Sequence, residues 1–246
     1  MTKLLIDVGN SRLKWALAYH ANITQRGAQP HHGDPAAAFD VIAAELPAAP
    51  TSIWFANVAG AAVAEQVQHA AQQRWLLQAR QAQVIDGQGG LQLAYAQPQR
   101  LGVDRWLMMQ ALWMQHRQAF VVVSAGTALT FDAVDAHGRH LGGVIAPGLT
   151  TMQTAVLGAT RFAAAGPDQQ FDAGLGADTE AGVRQGALHA CVGLIDRLAS
   201  RHAESQVQAV LTGGDAAVLA PHLASKWTQR PDLVLEGLLA LAAQLP

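Results

Sequence analysis

The sequence predicts an α/β protein of two similar lobes set around a cleft. Three observations point there. A short apolar run near the N-terminus, Leu4 to Val8, enters a turn at Gly9-Asn10, and a second, Phe120 to Val123, enters a turn at Ser124-Ala125-Gly126. Each turn is followed by further strand-like runs and then by helical patterning, so the halves share the order strand, small-residue turn, strand, strand, helix. The chain has 246 residues, enough for one large domain or two modest ones, each with a core. The lobes are expected at 1–118 and 119–246.

In the first half, Leu13 to Tyr19 continues from the turn as the second strand of a hairpin, and a third strand is expected around Ile23. Asp34 and Pro35 open a helix through Leu46, with proline suited to the first turn. Ser52 to Val58 reads as a buried strand and Ala61 to Trp75 as a helix rich in Ala and Gln. Gln88-Gly89-Gly90 marks a loop. Arg105 to Arg117 is helical, with Leu107, Met108, Ala111, Leu112 and Met114 as apolar positions. In the second half, Ala128 to Val134 and His140 to Ile145 are strands joined by a turn at Asp135-Ala136-His137-Gly138. Helices are expected near Thr150–Leu157 and over Thr179–Arg201. Val207 to Leu211 is a strand running into Thr212-Gly213-Gly214-Asp215 and a helix, and Leu233 to Leu245 is a final apolar helix.

Composition excludes several classes. The formal charge of -2, without a basic cluster, offers no bulk attraction to nucleic acid or an anionic membrane. Cys191 is the only cysteine, so an intrachain disulfide and a thiolate metal site are both excluded, which suits a reducing cytoplasm. Apolar stretches are broken well before the ~18 residues a membrane span needs, and the apolar run after Met1-Thr2-Lys3 is too short for a signal segment.

Four segments carry possible chemistry. In Asp7-Val8-Gly9-Asn10-Ser11, followed by Lys14, Gly9 admits close approach of backbone to a phosphate. Turn amides, the Asn10 amide and the Ser11 hydroxyl can donate to phosphate oxygens. Asp7 can hold magnesium through water, and Lys14 can neutralise phosphate charge. The same pentapeptide is also a plain hairpin turn. Ser124-Ala125-Gly126-Thr127-Ala128 occupies the matching place in the second half. Gly102-Val103-Asp104-Arg105 opens a helix, where Asp104 is either a cap or a base that accepts a hydroxyl proton beside an anion-binding arginine. Thr212-Gly213-Gly214-Asp215 and Gly142-Gly143-Val144-Ile145-Ala146-Pro147-Gly148 are sites of close backbone approach or simple turns.

In this order, these segments resemble the motifs of type III pantothenate kinases, of the actin-like, sugar-kinase-like superfamily, together with Asp178-Thr179 before a helix. The resemblance covers essentially the whole chain. It implies two ribonuclease H-like, actin-like lobes with a nucleotide cleft between them. It implies ATP-dependent phosphorylation of pantothenate to 4'-phosphopantothenate, the first step of coenzyme A biosynthesis. ATP contacts are implied along Asp7, Val8, Gly9, Asn10, Ser11, Arg12, Leu13 and Lys14, and at Gly126 and Thr127. Pantothenate contacts are implied at Tyr95, Gly102, Val103, Asp104, Arg105 and Thr179, with Asp104 as catalytic base. A magnesium ion is implied with ATP, at Asp7. A homodimer is implied, Thr179 reaching the partner's site, and the helix from Thr179 offers Ala181, Val183, Ala187, Ala190 and Val192 as a close-packing face. The family's second turn begins with an aspartate that helps to bind potassium or ammonium; here that position is Ser124, a poorer cation ligand.

Two other readings share these motifs: a kinase for another small polyol or sugar, and a nucleotide-binding regulator that keeps the fold. Retention of both Asp7 and Asp104 favours an enzyme. The ten histidines show no metal-ligand spacing beyond His31-His32 in a polar loop. His189 and Cys191 read as packing residues on a helix, as do the scattered tryptophans and Met108, Met109 and Met114. No Gly-x-Ser-x-Gly segment or Cys-His pair suggests hydrolase chemistry.

Overall fold

A computed structural model describes residues 1–10, 12–31, 34–159, 170–202 and 207–244. The chain divides into two units. One comprises Met1–His116 with Asp232–Pro246, and the other Arg117–Pro231.

In the first unit, β1 (Thr2–Val8), β2 (Arg12–Tyr19) and β3 (Asn22–Pro30) form an antiparallel meander. β4 (Ser52–Asn57) and β5 (Arg80–Gln81) extend the sheet in parallel on the other side of β1, giving the order β3-β2-β1-β4-β5. Side chains alternate across the pleat. Leu4, Ile6 and Val8 of β1 and Leu13, Trp15 and Leu17 of β2 therefore share one face. They pack there with Phe39 and Ile42 of α1 (Pro35–Glu45) and Val67 and Ala71 of α2 (Ala61–Trp75). Asp34 caps α1, its Oδ1 accepting from the Ala36 amide at 3.0 Å. Gly27 lies opposite Trp15 in the β2–β3 register, and a Cβ there would sit 2.6 Å from the indole nitrogen. Glycine thus makes room for the buried tryptophan.

The opposite face of this sheet carries α3 (Val103–His116) and the last helix, α7 (Leu233–Gln244), which pack on each other. A Cβ on Gly237 of α7 would lie 2.2 Å from the Leu107 carbonyl, so the two helix backbones touch. Lys3 of β1 donates to the Ala242 carbonyl at 3.2 Å, and Arg26 of β3 pairs with Asp232 just before α7. The last helix therefore belongs to the N-terminal unit, whereas the sequence boundary at 118/119 assigns it to the second half. Its apolar run shows that it is buried, but not against which sheet.

The second unit repeats the topology. β6 (Phe120–Ala125), β7 (Ala128–Val134) and β8 (His140–Pro147) form an antiparallel meander, and β9 (Gln208–Thr212) and β10 (Thr228–Gln229) continue from β6 in parallel. The order is β10-β9-β6-β7-β8, the same as in the first unit when traced from the other edge. Val121, Val123, Leu129 and Phe131 pack with Leu149 of α4 (Leu149–Ala159) and with Ala187, Leu188, Cys191 and Ile195 of α5 (Thr179–His202). The short α6 (Ala216–Leu219) follows β9 and buries Ala216 and Leu219. Both sheets are thus ribonuclease H-like, each with its Gly-containing turn after the first strand.

Candidate active site

Alternation along β1 and β2 sets the chemistry. With Ile6 and Val8 turned to α1 and α2, Asp7 faces the side that carries α3, and so does Lys14, its register partner on β2. Asp104 stands in the first turn of α3. Burial first and the Asp104 charge second push the Asp7 carboxyl up to about 7, against the opposing charge of Lys14. The expected magnesium ligand and the expected base are therefore close enough to feel each other within one unit.

The turn after β1 is closed by the Gly9 amide donating to the Arg12 carbonyl at 3.0 Å. A Cβ on Gly9 would come within 3.2 Å of that carbonyl. Asn10 and Arg12 are exposed, whereas Val8 and Leu13 are wholly buried, so these last two could offer a phosphate only their backbone. Ser11 lies outside the described residues. In the sequence His31 is half of the His31-His32 pair in a polar loop. It is 3% exposed, with its Nε2 2.7 Å from the Gly9 carbonyl oxygen. A lone histidine at the end of a polar strand carries no sequence signal for such a contact.

At the start of α3, a Cβ on Gly102 would lie 2.6 Å from Asp104 Oδ1, so the carboxylate folds back over a place only glycine leaves open. Arg105 is buried, and its Nη1 donates to the Tyr95 hydroxyl at 3.0 Å, with the guanidinium 5.9 Å from the Tyr95 ring centre. Tyr95, Gly102, Val103, Asp104 and Arg105 thus form one local group. A cavity of about 330 Å³ adjoins Gly102 and Val103 and is also lined by Asn57, Val58, Gln81 and Gln99. Asn57 and Val58 follow from the end of a strand the sequence does mark, but their spatial neighbour lies some forty residues on.

The second turn belongs to the other unit. The Gly126 amide donates to the Ala128 carbonyl at 3.1 Å, and Thr127 is exposed. Two glycines clamp the turn. A Cβ on Gly148 would sit 1.8 Å from the Gly126 carbonyl oxygen, and one on Gly213, at φ +98, would sit 2.1 Å from that of Ala125. The Gly-rich segments after β8 and β9 therefore approach the protein's own turn, although Gly214 leaves open space. Thr179 is exposed at the first position of α5. Of the expected packing face, Ala187 is used inside the unit and Ala181, Val183 and Val192 are half-buried. The exposed glycines and alanine on this helix are Gly182, Gly186, Ala190 and Gly193. His189 is exposed. Cys191 is buried, and burial, with a smaller contribution from Asp215, pushes its thiol up to about 11, which makes it a poor nucleophile.

Among the described residues no group of three or more His, Cys, Asp or Glu converges to cage a metal, and no helix is long and apolar enough to cross a membrane.

Two ribonuclease H-like units, each with a glycine turn after its first strand, make up an actin-like fold. Solved structures of the same fold include the ethanolamine utilization protein EutJ from Carboxydothermus hydrogenoformans, with a TM-score of 0.58 and 11% identity, covering 99% of this chain and 89% of that one. Another is component A of (R)-2-hydroxyglutaryl-CoA dehydratase from Acidaminococcus fermentans, with a TM-score of 0.56 and 12% identity over 99% and 97% of the two chains. Residues 3–201 match the type III pantothenate kinase family. Type III pantothenate kinases from Nitrosococcus oceani and Chromobacterium violaceum are 34% and 35% identical to this chain. The first match covers 97% of this chain and 93% of the relative, and the second 98% and 99%. The chain belongs to the type III pantothenate kinase family.

Proposed function

We propose that this protein transfers the γ-phosphoryl group of ATP to the hydroxyl of pantothenate, giving 4'-phosphopantothenate and ADP, the step that opens coenzyme A biosynthesis in the cytoplasm. The observation that carries the reading at this site is that Asp7 of β1 and Asp104, at the start of α3, lie on the same side of one sheet. Phosphoryl transfer to an alcohol needs a carboxylate to orient the nucleophile and countercharge at the phosphates, with little covalent chemistry from the protein.

In this mechanism the turn of Gly9, Asn10 and Ser11, with Arg12 and Lys14, receives the phosphates of ATP, and Gly126 and Thr127 supply the second phosphate turn. Asp104 accepts the hydroxyl proton as the hydroxyl oxygen forms its bond to the γ-phosphorus and the bond to the β-phosphate oxygen breaks. Arg105, oriented by Tyr95, anchors polar groups of pantothenate, and the cavity beside Gly102 and Val103 takes its chain. Asp7 fits a divalent cation. Its carboxyl is pushed up by burial and by a second carboxylate, which is the strain a cation relieves. Asp7 would hold magnesium through water, and the ion, when bound, neutralises phosphate charge. Ser124 does not fit a monovalent cation in the same way. Its hydroxyl stands where the family's carboxylate would, so no step is assigned to potassium or ammonium.

Thr179 belongs to the other unit and lies exposed at a helix start, which supports a role in the pantothenate site of a partner subunit. The exposed line Gly182, Gly186, Ala190 and Gly193 gives a dimer a surface for close backbone approach.

Asp104→Asn tests the central assignment. The change keeps size and removes the proton acceptor. Turnover should fall by roughly 10²–10⁴-fold, the range for a positioned base, while calorimetry shows pantothenate still bound. Turnover like that of the unmodified enzyme would remove Asp104 from the mechanism.

A further inference from the structure

We infer that His31 is a positioning residue for the first phosphate turn: its Nε2–H holds the Gly9 carbonyl and thereby aims the next amide, the N–H of Asn10, at the phosphate. The inference rests on reading that turn as the nucleotide site, and it assigns a role to a side chain outside the turn.

The geometry is local. His31 follows the last residue of β3, where Pro30 is in register with Arg12 at the far end of the turn. Its own carbonyl accepts from the Asp34 amide at 2.6 Å, and Asp34 in turn caps α1. The backbone at His31 is therefore held on both sides along the chain. His31 is 3% exposed, and Nε2 lies 2.7 Å from the Gly9 carbonyl oxygen. A carbonyl can only accept, so Nε2 carries the proton.

The consequence follows from the planarity of the peptide. In a trans peptide the C=O and the following N–H point in opposite directions. Holding the Gly9 oxygen towards His31 turns the Asn10 N–H away from it, to the other side of the turn. Glycine tolerates both signs of φ, so without this hold the Gly9–Asn10 peptide could rotate and present its carbonyl oxygen instead. A carbonyl facing a phosphate replaces a hydrogen bond with repulsion. The glycine that lets a phosphate come close thus leaves the peptide free to turn the wrong way, and His31 removes that freedom.

The test compares His31→Phe, which keeps an aromatic ring and loses the donor, with His31→Gln, which keeps an N–H donor. His31→Met is a second non-donor should the larger phenyl ring not be accommodated. Binding of magnesium-ATP and of pantothenate is measured separately by calorimetry, with thermal unfolding as a check on the fold. The expected result is magnesium-ATP binding weakened roughly tenfold in the non-donors, about the weight of one hydrogen bond, pantothenate binding unchanged, and magnesium-ATP binding restored in His31→Gln. Unchanged magnesium-ATP binding in a folded non-donor would overturn the inference. So would parallel loss of both ligands with no rescue by glutamine, which marks a packing role only. Because the readout is binding, it stands apart from the kinase assignment: a chain that binds magnesium-ATP and leaves pantothenate unphosphorylated fails as this kinase, yet still decides the role of His31.

Discussion

Asp7 sits where a strand's alternation and a neighbouring helix start place two carboxylates and one lysine on the same side. The strain this creates is measurable. With no cation or nucleotide bound, burial first and the Asp104 charge second push the Asp7 carboxyl up to about 7, against an ordinary 3.8. Between those values the folded chain keeps a proton that the unfolded chain has released, so stability must fall as pH rises through that window and level off above it. Urea unfolding from pH 4 to 8 with a chelator present should show this decline, and Asp7→Asn should flatten it. An equal slope in both proteins would mean that Asp7 is not strained. The same variant should need more magnesium for a given rate, since it loses the carboxylate that would hold the ion. Residue types and spacing mark Asp7, Gly9, Asp104 and Arg105 as candidates in the sequence, because each belongs to a short contiguous segment. His31 and Asn57 were not legible, because their partners are brought to them only by folding.

Among the elements, regular ones were readable and marginal ones were not. α2 and β7 match their sequence expectations at both ends, since each carries its period to a clear stop. β3 showed only a weak signal around Ile23. It is a polar edge strand with half-exposed positions and a glycine opposite Trp15, so it has little apolar alternation to detect. β5 and β10 have two residues each and no period at all. The contact between α3 and α7 yields a prediction in which two effects oppose each other. Gly237→Ala should gain about 1 kcal/mol from helix propensity. The added Cβ, however, would lie 2.2 Å from the Leu107 carbonyl and 2.9 Å from its Cβ, too close for backbone to accommodate without the helices moving apart. Overpacking of this kind costs roughly 1–3 kcal/mol or more, so net destabilisation should appear as a lower urea midpoint. A raised midpoint would show that the helices separate at little cost.

At the scale of the molecule, the repeat of one topology in two units was foreseeable because each unit announces itself with the same turn. The return of the last helix to the first unit was not, because an apolar helix does not reveal its partner. The dimer is the other long-range expectation, and it has a direct consequence. If Thr179 completes the site of the partner subunit, then Asp104→Asn and Thr179→Val damage each site from different chains. A mixed dimer of the two variants would contain one site with both changes and one with neither. Unfolding and refolding the two together should therefore raise activity above that of either alone. No recovery in a mixture shown to contain mixed dimers would place Thr179 outside a shared site.

The most direct test of the whole account is product formation. Purified protein is given magnesium-ATP and pantothenate, and phosphopantothenate and ADP are followed together by mass spectrometry, with a set of small sugars and polyols as alternative acceptors. The account predicts one phosphopantothenate for each ADP, abolished in chelator and strongly reduced in Asp104→Asn, with the sugars left unmodified. Binding of ATP without any phosphorylated pantothenate, or faster transfer to one of the sugars, would contradict it.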